Sequence, residues 1–312
     1  MMPVPQSIIQ EEPNYISAFE EVNPLEIRSS AMNPLAPDVV LTKNDRGRQV
    51  VESLSKAYPK IIKDFAFIDG DWAVKLRGNW YYYADGKFLP ETARESAAKY
   101  SPQPFYPYPK KLPAWEPPSI EDAARMIAAS KQRRSGAVSN RSLFFFDELW
   151  NIRSRAEAWD QVKSIHFLGQ EILVHHVILE ELALVEQLIN KAAKTDKEVK
   201  LWLSNIDSIT SWNWRNIADV QSRSNHAYGI AIDLVSRNPK KLETYWLWTL
   251  QNNIDFWDVP YSKRIHPPDA VIEAFEAYGF IWGGKWSFYD TMHFEYRPEI
   301  LLLNNIPLTG EY

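Results

Sequence analysis

SNHAYGIAIDL, residues 224–234, sets a histidine and an aspartate seven positions apart around a glycine, at the start of an alternating apolar run. Within IAIDLV, 230–235, pleating puts Ile230, Ile232 and Leu234 on one face and Ala231, Asp233 and Val235 on the other. Asp233 thus shares its face with a small residue, which leaves room beside it. His226 lies an odd number of residues from Asp233, so an unbroken strand would aim the two at opposite faces. Gly229 relieves that conflict, because it permits a bend or bulge that turns His226 back toward Asp233. The stretch predicts a turn at Gly229 followed by a strand.

A second polar cluster ends YGFIWGGKWSFYDTMHFEY, residues 278–296. Strand geometry in HFE puts His293 and Glu295 on one face with Phe294 opposite, and Asp290 precedes on the approach. Two histidines and an aspartate suit a catalytic zinc, which accepts mixed nitrogen and oxygen ligands and keeps a fourth position for water. Calcium or magnesium would prefer more oxygens. Asp290 is then left over to act as a base.

These motifs together, SNHAYGIAID, GFIWGGKW and DTMHFE, resemble the zinc D-alanyl-D-alanine carboxypeptidase family. That group includes D-Ala-D-Ala dipeptidases and L-alanyl-D-glutamate endolysins, and it shares a fold with the hedgehog signalling domain. The likeness covers roughly 163–303. It implies one zinc per chain held by His226, Asp233 and His293, with Asp290 as general base and Glu295 orienting a ligand. It also implies an arginine ahead of the Ser-x-His, for which Arg215 fits the spacing better than Arg223. Arg215 is expected to stabilise the oxyanion or hold a substrate carboxylate, since a guanidinium offers paired donors to either. Ser224, Trp282 and Trp286 are expected at the substrate, although the tryptophans would serve equally as core and Ser224 as a turn cap.

Composition agrees with a polar-substrate enzyme. The 312 residues are 45% hydrophobic, enough for a substantial core, and 13 Trp and 15 Tyr can wall a cleft. A net charge of -5 with no long basic run argues against a nucleic-acid partner. The absence of cysteine excludes disulfides, a thiol nucleophile and cysteine metal sites. No apolar run reaches the roughly 18 residues of a membrane span. MMPVPQSIIQEEPNY lacks the regions of a signal peptide, so a cell-envelope or periplasmic location presumes a trimmed signal, and a cytoplasmic one is the alternative.

Along the chain, the sequence predicts a flexible arm over 1–43 and a small region over 44–118. The latter holds a helix cut short near Pro59, hairpins turning at Gly78-Asn79 and Asp85-Gly86, and a Pro-rich linker over 101–118. A helical connection over 119–162 opens with a cap at Ser119 and Asp122. The zinc peptidase domain follows over 163–312, with a helix at 177–194 and a strand at KEVKLWLSNID, 197–207. The expected fold is α+β, an antiparallel sheet flanked by helices, hedgehog/DD-peptidase-like, with an additional N-terminal α+β region. His175, His176 and His266 read as structural, and His166 is ambiguous.

The expected function is cleavage of a D-amino-acid-containing bond in peptidoglycan stem peptides, foremost D-alanyl-D-alanine carboxypeptidase activity. The alternatives are an L-alanyl-D-glutamate endopeptidase and a zinc-stabilised binding module without turnover.

Overall fold

Alternating and helical patterns resolve into a mixed α+β chain whose sheets are all antiparallel. The computed structural model describes residues 43–134, 140–215, 223–238 and 240–309, so the arm expected over 1–43 lies almost wholly outside the described residues. The elements are, in order, α1 (Lys43–Ala57), β1 (Ile62–Ile68), β2 (Asp71–Leu76), β3 (Asn79–Tyr82), β4 (Leu89–Pro90), α2 (Ile120–Arg134), α3 (Phe144–Trp150) and α4 (Arg155–Gln161). There follow β5 (Val162–Phe167), β6 (Gln170–His175), α5 (Leu179–Ala192), α6 (Lys197–Asn205), β7 (Ile206–Thr210), α7 (Asn225–Tyr228) and β8 (Ala231–Ser236). The chain ends with α8 (Trp246–Gln251), α9 (Asp269–Ala277), β9 (Phe280–Trp282), β10 (His293–Tyr296) and α10 (Pro298–Leu303).

Strands β1 to β4 form a meander, β5 and β6 a hairpin, and the site-bearing sheet has the order β7-β8-β10-β9. Both sequence-predicted hairpin turns are present, with Arg77 and Gly78 at one and Ala84, Asp85 and Gly86 at the other in left-handed backbone. Helix α1 buries Val50, Val51 and Leu54 and ends before Pro59, which cannot donate the next helical hydrogen bond. It packs on α10 from the far end of the chain, and Tyr58 meets Trp150 and Tyr296 edge-on.

Two expectations change in three dimensions. KEVKLWLSN is a helix and not a strand. Its cap Asp196 accepts hydrogen bonds from the Glu198 and Val199 amides, and Val199 and Trp202, three apart, are the buried pair. Leu201, which completed the apparent alternation, is 63% exposed. The strand begins only at Ile206. The Pro-rich segment 101–118 has no helix, as its prolines dictate, yet it is packed and not a bare linker: Phe105, Tyr106 and Tyr108 are buried in the same core as α1, α9 and α10.

A second, smaller core gathers Met126, Tyr245, Trp246, Phe256, Phe288 and Tyr289. It supports the wall that faces the site across the cleft.

Candidate metal centre

The register of one strand pair builds most of the site. His293 on β10 lies directly opposite Asp233 on β8, and Glu295 lies opposite Ala231. Facing positions of an antiparallel pair share a sheet face, so His293, Glu295 and Asp233 project to the same side. His226 arrives from α7, one turn that Ser224 caps by accepting from the His226 amide and that Gly229 closes in left-handed backbone at φ 72°. A Cβ at Gly229 would sit 2.9 Å from the His175 backbone nitrogen, so the position requires glycine twice over.

Each histidine is fixed by its outer nitrogen. His226 Nδ1 lies 2.7 Å from the Ser211 carbonyl, which can only accept, so this nitrogen carries the proton. His293 Nε2 lies 3.1 Å from Glu295 Oε2 and is protonated for the same reason. Glu295, itself buried and bonded to Asn225 Nδ2 at 2.7 Å, has its pKa held down to about 2: burial opposes this, and the His293, Arg297 and Asn225 contacts outweigh it. The inward atoms are therefore lone pairs, His226 Nε2 and His293 Nδ1.

These two nitrogens stand 3.3 Å apart, and the Asp233 oxygens lie 3.3 Å from the first and 3.0 Å from the second. Bonds of about 2.0–2.1 Å at tetrahedral angles would place ligand atoms about 3.3 Å apart. Three acceptors converging at that spacing repel unless a cation lies among them, so donor set and spacing both fit zinc. The same logic governs protons. Burial pushes the His293 pKa down, but Asp233 and Glu295 hold it well above its ordinary value, so a proton competes for the position a metal would take. Asp233 is held well below the carboxylate range by the two histidines, against its burial.

Asp290 stands on the loop between β9 and β10 and lines the same cleft, of about 540 Å3. Burial first, and then the Asp233 charge, raise its pKa to about 7, which suits a group that must both take and give a proton near neutrality. The GFIWGGKW stretch sets this position. Gly283 O accepts from the Asp290 amide at 3.0 Å, Trp282 Nε1 donates to Thr291 O at 2.9 Å, and a Cβ at Gly284 would fall 2.0 Å from the Trp282 ring.

The remaining sequence-predicted residues divide. Arg215, Ser224 and Trp286 line the cleft. Trp282 does not: it is 1% exposed and packs beside Phe294 and His266, so it shapes the loop from within the core. Arg223 points away to Asp147 and to the Ile152 carbonyl, which locks α3 against the start of α7. His175 is buried and bonded to the Trp150 carbonyl at 3.0 Å, a structural arrangement. Sequence reasoning missed the opposite wall, where Tyr245 and Trp248 line the cleft. TYWLWTL, 244–250, carried the signal, since Trp246 and Trp248, two apart on a helix, face different sides and cannot both enter one core.

Residues 50–105 match the family model of a domain of unknown function. No curated protein and no solved structure matches the chain. Residues 218–296 match the family model described as D-alanyl-D-alanine carboxypeptidase, so the stretch that carries His226, Asp233, Asp290 and His293 is similar to a metallopeptidase of that kind.

Proposed function

We propose that this chain is a zinc-dependent peptidase of the cell envelope that removes the terminal D-alanine from peptidoglycan stem peptides. The observation that carries this reading is the convergence of two imidazoles and a carboxylate beside a separate, partly buried carboxyl group in one cleft, within the stretch similar to D-alanyl-D-alanine carboxypeptidases. His226, Asp233 and His293 would hold the metal, one per chain. When bound, zinc supplies a Lewis acid that polarises the scissile carbonyl and activates water.

The protein's own groups do the rest. Asp290 takes the proton of the attacking water on a carboxylate oxygen and passes it to the leaving amine. Arg215, on the cleft wall, holds the substrate's terminal carboxylate through paired guanidinium donors. Trp286 and Trp248 form aromatic walls that exclude water from the reacting peptide. Ser224 presents its side of the α7 turn to the same space.

The test is incubation of the zinc-loaded protein with defined muropeptides, followed by mass analysis. Loss of one terminal alanine supports the proposal. Release of the whole stem from its L-alanine bond would replace it with an endopeptidase, and one bound zinc without cleavage would make the protein a binding module.

A further inference from the structure

Among the described residues, a buried cluster ties the Asp290 loop to Tyr108, which lies outside the matched stretch. The Tyr108 hydroxyl, in the Pro-rich segment, accepts a hydrogen bond from the Trp282 amide at 2.9 Å and donates to Glu276 Oε1. Glu276 Oε1 also accepts from Lys285 Nζ, which donates to the Lys110 carbonyl at 2.8 Å. Tyr108, Glu276 and Lys285 are all buried. Among the described residues, strand β9 is the edge of its sheet and pairs with β10 alone. The Trp282 amide would otherwise be an orphan donor, and Tyr108 stands where a neighbouring strand's carbonyl would be.

What Trp282 does, Asp290 follows. The indole of Trp282 holds Thr291, and the next residue, Gly283, accepts the amides of both Trp286 and Asp290. A Cβ on Gly283 would fall 2.5 Å from the Asp290 carbonyl, so the two ends of the loop are in contact and move together. Lys285, anchored to the same carboxylate as Tyr108, pins the middle of the loop.

We propose that Tyr108 is a positioning residue for the reaction: its hydroxyl, with Glu276 and Lys285, fixes the Gly283–Asp290 loop so that Asp290 addresses the metal centre. The N-terminal half thereby supplies part of the active site's framework. This rests on the peptidase reading above, and it assigns to residues 101–118 a role beyond connection.

The experiment uses the full chain with Tyr108→Phe, which keeps the ring and removes only the hydroxyl. Tyr58→Phe is the control, because Tyr58 is equally buried and donates to Glu299 at 2.6 Å without touching the loop. Tyr108→Phe should lower kcat on a muropeptide about tenfold with KM unchanged, since small misplacements of a reacting group cost rate more than binding. It should also alter the visible spectrum of the cobalt-substituted protein, while zinc content stays at that of the wild type. Tyr58→Phe should leave kcat and the spectrum as they are. Equal effects of the two variants, or a Tyr108→Phe protein with wild-type kcat and spectrum, would overturn the positioning role. If the wild type cleaves no muropeptide, the peptidase reading fails, and the cobalt spectra still decide whether Tyr108 sets the loop. Denaturant midpoints of the Tyr108→Phe and Tyr58→Phe proteins, expected to be alike, separate this effect from poor folding.

Discussion

Two buried polar clusters are joined by the Gly283–Asp290 loop, and they balance charge differently. Around Glu276, an acceptor meets donors of the protein: Oε1 accepts from the Lys285 ammonium and the Tyr108 hydroxyl, and the ammonium also donates to the Lys110 carbonyl. Around Asp233, two imidazole nitrogens and a carboxylate converge at 3.0–3.3 Å, and a proton or a cation must lie among them. The first cluster pairs opposite charges as folded. The second needs a proton or a cation from outside, which is what makes it a candidate metal site and not a structural ion pair.

The strongest test of that contrast is His293→Ala. Zinc content measured by elemental mass spectrometry should fall from about one per chain to near zero, and cleavage should fall by more than about 10^3-fold, because both the metal's binding and its Lewis acidity are lost. Retained zinc would end the distinction drawn here. Asp290→Asn should keep the metal and lower kcat by about 10^3-fold, within the range for a lost general base. Wild-type turnover in that variant would remove Asp290 from the chemistry.

The self-contained cluster makes the opposite prediction. Glu276→Leu or Lys285→Met alone should cost about 3–5 kcal/mol in denaturant unfolding, since each leaves a buried charge without its partner. The double variant should cost much less than their sum. Additive costs would show that the two groups are not a closed pair.

The smallest effect concerns His175, outside both clusters. Burial lowers its pKa from 6.5 to about 4, so the unfolded chain binds its proton more readily than the folded one. Its contribution to stability is complete above about pH 6.5 and is lost as the pH falls toward about 4, about 2 kcal/mol of it between pH ~7 and pH ~5. Urea unfolding at both pH values should show this loss, and His175→Gln should remove that share of the slope. Equal slopes for variant and wild type would place the titration elsewhere.

Most of the candidate metal site was legible because its signals are local. The glycine turn, the pleat of IAIDLV and the two-residue spacing of His293 and Glu295 are set by backbone geometry within a few residues. The misread elements are those where a local pattern had two solutions. KEVKLWLSN carries apolar residues both at alternate positions and at helical spacing, and burial of Val199 with Trp202 chose the helix. Trp282 and Trp286 look alike in sequence, yet only Trp286 reaches the cleft, because Trp282 turns under the loop to meet Thr291.

The sequence by itself determined which residues can bind a metal and the order in which they come, since donor chemistry belongs to the side chain and strand periodicity to the chain. Only the tertiary structure decided that His293 pairs with Asp233 across β8 and β10, some sixty positions apart, that Tyr245 and Trp248 close the far wall, and that Tyr108 holds the edge of β9. Those contacts join segments distant along the chain. Their selection depends on how whole elements pack together, which short-range spacing does not encode.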